Sequence, residues 1–181
     1  MSRKKTVETV NNKVDELSYK LKGIGDKYVA DATHSLDVIM EIISQQLKDG
    51  NNIPDNDLQR FILDLANNLY FASDMQEQLG IKEDVAKMIR QELYNQTKKE
   101  TAGTVAEKEA AALLDSKYEE TVQLVYARAY KRVKVKVEAG YEMLNALKKI
   151  MNTRLEELKL SQSKYIGGQP NESRASNKQF E

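Results

Sequence analysis

YARAYKRVKVKVEAGYEML, residues 126–144, decides how this chain is read. Five bases, Arg128, Lys131, Arg132, Lys134 and Lys136, fall there before the first acid, Glu138. Val133, Val135 and Val137 alternate with lysines in the manner of a strand. A longer window reverses that impression. Tyr118, Val122, Val125, Ala129, Val133, Val137, Gly140, Leu144, Leu147, Met151, Leu155 and Leu158 recur at steps of three and four. At about 100° per residue they share a sector of about 100°, one face of a helix. Only Val135 points elsewhere, so the stretch is expected to be helical although its β-branched residues weaken the helix locally.

Upstream the same periodicity returns. Val7, Val10, Val14, Leu17, Leu21 and Ile24 form one stripe, and Val29, Ala32, Leu36, Ile39, Ile43 and Leu47 form a second. Gly23 and Gly25 lie between them, each costing about 1 kcal/mol in a helix interior, and predict a break. The segment DGNNIPDND, residues 49–57, reads as a loop, and Asp55 and Asp57 read as capping residues rather than metal ligands. A third stripe runs from Leu58 to Leu79 and is expected to stop at Gly80. A fourth begins at Ile81 and fades before Gly103, where a bend or break is expected. Thr104 with Glu107, and Ser116 with Glu119, have the spacing of capping boxes.

The predicted fold is therefore all-α: an N-terminal helical bundle over 1–80, a long antiparallel helical hairpin over 81–160, and a disordered tail over 161–181. The tail is polar and carries Gly167, Gly168 and Pro170. Charged residues make up 31% of the 181, with 8 Gly and 2 Pro, a balance that favours helices with wide polar faces. Twenty-eight bases balance 28 acids, so any polyanion must be met by a local patch rather than by net charge.

With no cysteine and one histidine, disulfide, thiolate and Cys/His zinc chemistry are excluded. No secretory leader or membrane-spanning run is visible, and a reducing cytoplasm is the expected location. GIGDKY, residues 23–28, lacks the Lys-Ser/Thr close of a phosphate-binding loop, and His34 has no partner histidine. No nucleophile, base and orienting acid converge, so neither an enzyme nor a cofactor is expected.

The bases of 128–136 have two readings. Acids on a packed helix, such as Glu92, Glu100, Glu107 or Glu109, would neutralise them in a charged seam. Alternatively they meet phosphates, with Tyr126, Tyr130 and Tyr141 interleaved as stacking faces for single-stranded nucleic acid. Of the five, only Lys134 has an acid within reach along its own helix, Glu138.

The succession TVAEKEAAALLDSKYEE, KRVKVKVEA and LNALKKIMNTRLEELK resembles bacteriophage proteins of the UvsY-like recombination-mediator type and related helical-hairpin proteins. The upstream LYFASDMQEQLGIKEDVAKMIRQELYNQT is similar to the segment that precedes such hairpins. The resemblance implies a non-enzymatic mediator in the host bacterial cytoplasm. It would bind single-stranded DNA, form homo-oligomers, and help a RecA-like recombinase load against a single-strand-binding protein. By position, Lys131, Arg132, Lys134 and Lys136 would contact DNA, with Arg128 and Tyr130 beside them. The alternatives are a structural or scaffolding oligomer without nucleic-acid binding, or a helical adaptor or inhibitor that docks a host protein.

Overall fold

The apolar stripes resolve into four helices in the computed structural model, which describes residues 3–48 and 53–166. These are α1 (Arg3–Lys48), α2 (Asp55–Glu100), α3 (Val105–Asp115) and α4 (Lys117–Ile166). No strand occurs among the described residues. The valine alternation is helical as the longer window requires: Val133 and Val137 are buried and Val135 is exposed.

Side-chain pairings give the topology. Along α2, Asp55, Gly80, Arg90 and Lys98 meet Arg154, Tyr130, Glu120 and Glu109 in turn. Numbers rise on one side as they fall on the other, so α2 is antiparallel to α3 and α4 along its whole length. Tyr28 meets Tyr126 and Asp37 meets Lys136, which makes α1 parallel to α4. The core lies between the three long helices. Val29, Leu36 and Ile43 come from α1, Leu58, Leu65, Leu69 and Leu79 from α2, and Ala129, Val133, Leu144 and Leu147 from α4. Each fully buried leucine contributes roughly 1.5–3 kcal/mol by leaving water.

Two expected breaks do not occur. α1 runs through Gly23 and Gly25, and α2 runs through Gly80. The glycine cost of about 1 kcal/mol is smaller than what flanking core residues gain by staying in register. At Gly80 the Tyr130 ring occupies the space beside the backbone, 3.4 Å from where a Cβ would stand. That is ordinary contact, so Gly80→Ala is expected to stabilise the bundle by about 0.5–1 kcal/mol. A thermal melt would register it as a raised Tm.

The break expected at Gly103 is present. Gly103 has φ of +127°, a conformation that a side chain would strain, and Glu107 already fills the space beside it. Thr104 then caps α3 in a full capping box. Its hydroxyl accepts the Glu107 N–H, and the Glu107 carboxylate accepts the Thr104 N–H at 2.8 Å. Those bonds to Thr104 hold the Glu107 carboxyl below its ordinary value of 4.5. Because the folded state prefers the charged form, this cap is complete above that value and is lost as the pH falls through the depressed one. Amide protection factors in the first turn of α3 should therefore fall in acid before those of the core amides do.

The second expected box does not form. Ser116 is buried in a near-helical link, where its hydroxyl donates back to Ala112 O at 2.8 Å instead of capping α4. Nor do Asp55 and Asp57 cap α2. Pro54 holds the N-cap position without a side-chain bond, and Asp55 accepts from Arg154 at 2.8 Å. α4 continues through 161–166; the rest of the expected tail, 167–181, lies outside the described residues.

α2 has a second apolar face. Leu63, Tyr70, Phe71, Ile81, Val85, Met88 and Ile89 are 48–71% exposed. At about 100° per residue they share a sector of about 100°, on the side opposite the core leucines. A helix that is apolar on two opposite faces is built to be covered on both.

Candidate nucleic-acid interface

The α4 stripe turns Val125, Ala129 and Val133 into the core, which throws the five bases onto one flank and the outer face. The flank faces α1. There Arg132 pairs with Asp26 and Lys136 with Asp37. Lys136 also donates to the buried Thr33 hydroxyl at 3.1 Å, and that hydroxyl stands 2.9 Å from Val29 O and 3.0 Å from Asp37. Lys134 reaches Glu138 on its own helix at 3.9 Å. Arg128 and Lys131 are exposed and have no ion pair among the described residues.

Acids on a packed helix thus neutralise part of the cluster, but they belong to α1. Glu109 is bound to Lys98 and Glu107 to the Thr104 cap. Asp26 and Asp37 lie eleven residues apart, close to three turns, on one edge of the α1 stripe. That spacing was the available signal for an acidic edge.

The tyrosines divide differently from the expected row of stacking faces. Tyr126 packs against Tyr28, with ring centroids 5.3 Å apart and hydroxyls 3.3 Å apart. The Tyr28 hydroxyl and burial push the Tyr126 phenol up from its ordinary value. Tyr130 is half-buried against Gly80, and Tyr141 is exposed. Tyr126 and Tyr130 are therefore occupied within the bundle.

Between α1 and α4 a cleft of about 120 Å³ opens beside Arg128. Leu21, Gly25, Leu124, Val125 and Ala129 give it an apolar floor, and Lys22, Arg128 and Arg132 form its rim. No atom lies within 4 Å of where a Cβ on Gly25 would stand, so the missing side chain helps leave this space open. The arrangement can take a flat apolar group into the floor while cations hold an anion at the edge.

His34 is exposed on α1. Among the described residues no group of three or more His, Cys, Asp or Glu side chains could hold a metal ion, and no helix is long and apolar enough to cross a membrane. Comparison of the chain with family models, with curated proteins and with solved structures returned no match.

Proposed function

We propose that this chain is a non-enzymatic, single-stranded nucleic-acid-binding protein, acting as a mediator of the recombination type that its C-terminal pattern resembles. One observation carries the reading. Arg128 and Lys131 stand exposed with no acid paired to them among the described residues, and Arg128, with Lys22, borders an apolar cleft. A base would enter the cleft while its phosphates met the rim; Arg132, shared with Asp26, contributes less. A RecA-like recombinase and a single-strand-binding protein are the protein partners that the reading supplies.

The site is smaller than five bases would give. If Lys22, Arg128 and Lys131 neutralise three phosphates, log K against log salt should fall with a slope of about −2 per chain. An anisotropy titration with single- and double-stranded DNA at several salt concentrations measures it. Salt-independent binding, or a preference for the duplex, would overturn the assignment.

A second reading is a scaffolding helical oligomer with no nucleic-acid role. It is favoured by the acids already facing Arg132, Lys134 and Lys136, and by the uncovered second face of α2. In that case the titration would be flat while the protein still self-associated.

A further inference from the structure

We infer that the outer face of α2 seats the same face of a second copy of this chain, with the two helices antiparallel about a two-fold axis at the level of Gln76. The face has a pattern that matches itself when reversed. Leu63 and Ile89 each lie thirteen residues from Gln76, and Phe71 and Ile81 each lie five. Between them runs a polar waist containing Asp74 and Gln78, two residues to either side. Reversal therefore lays the 63–71 cluster on the 81–89 cluster and waist on waist, with Leu63 opposite Ile89 and Phe71 opposite Ile81, while Tyr70, Val85 and Met88 face Lys82, Asn67 and Asp64.

The charges select the direction. Antiparallel pairing sets Arg60 opposite Glu92, sixteen residues from the centre on either side, and does so twice. Arg60 can turn to this partner, since it is largely exposed and its ion pair with Asp64, at 3.6 Å, is long and solvated. The same pairing sets Asp74 opposite Gln78, a donor and acceptor that already bond within one chain at 2.8 Å. Parallel pairing would instead oppose Arg60 to Arg60, Asp74 to Asp74 and Glu92 to Glu92, which is repulsive at each point.

The size is sufficient. The face spans 26 residues, about 39 Å at ~1.5 Å per residue. Two such faces in contact would bury on the order of 1,000 Å², near the lower bound for a specific interface. Seven large apolar side chains are exposed along this one face in its two clusters, the kind of surface that marks an interaction site.

The test needs no nucleic acid, so it stands apart from the titration above. Light scattering and sedimentation on the full chain should give a dimer or a multiple of one. Phe71→Glu with Ile81→Glu should weaken self-association by ~100-fold or more while leaving the thermal melt of the dilute, dissociated protein near wild type, because both side chains are more than half exposed. The chain has no cysteine, so direction can be read by cross-linking. Asn67→Cys and Val85→Cys proteins, each nine residues from Gln76, should form a mixed disulfide when combined and little disulfide when alone. A chain that stays monomeric at high concentration, an oligomer indifferent to Phe71→Glu with Ile81→Glu, or cross-linking of the Asn67→Cys protein to itself would each overturn the inference.

Discussion

Gly140→Val should destabilise the bundle by about 3 kcal/mol, the largest loss expected from a glycine-to-valine change among the described residues. At Gly140 the backbone of α4 meets core side chains of both α1 and α2. A Cβ there would stand 2.7 Å from Leu69 Cδ2 and 3.3 Å from Leu36 Cδ1, and both leucines are about 1% exposed. Neither has empty space to move into, and valine adds two further carbons beyond the Cβ. The better helix propensity of valine offsets only a few tenths of a kcal/mol. Urea denaturation should show a lower midpoint with an unchanged slope. Adding Leu69→Ala should then cost far less in the Gly140→Val background than in the wild type, because the two changes share one space. A midpoint equal to wild type would mean that the close approach at Gly140 is absent.

Arg128→Glu with Lys131→Glu is expected to lower single-stranded DNA affinity ~100-fold or more at low salt while leaving the fold intact. Each exposed base would lose a charge-assisted phosphate contact of about 1.5–3 kcal/mol and gain a repulsion. Neither has an ion pair to break among the described residues. Arg132→Glu with Lys136→Glu should behave differently. Those bases face Asp26 and Asp37, so reversal sets like charges across the α1–α4 contact and lowers the melting temperature. The two double variants therefore separate binding from bundle stability. Equal DNA affinity in wild type and Arg128→Glu with Lys131→Glu would remove the proposed interface.

The long apolar series through Val133 and Val137 was readable in the sequence because a helical period persists over many turns. Three lysine–valine alternations could not compete with it. The glycines misled for a physical reason: propensity is a local quantity, whereas the helices on either side of Gly25 and Gly80 are held in register by buried residues such as Val29 and Leu79. Gly103 was readable because the polar residues around it offered no core to hold the helix together. The bases were identifiable as a cluster, but their partners were not. Asp26 and Asp37 are about a hundred residues away from Arg132 and Lys136, and only the parallel packing of α1 on α4 brings them near. Tyr126 and Tyr130 look like stacking faces in a list of residues and become bundle contacts once Tyr28 and Gly80 are beside them.

The tight turn at Gly103 also bears on the order in which the molecule assembles. Lys98 and Glu109, next to that turn, close a loop of only eleven residues, whereas Asp55 and Arg154 at the far end close one of 99. Loop closure becomes entropically dearer with length, so early contacts favour the turn. With the Thr104 cap already formed locally, α2 and α3 can pair first and extend pairing step by step into α4, each step adding a short loop. α1 then docks on a surface that the hairpin has prepared, and the ion pairs to Asp26 and Asp37 belong to that last stage of folding.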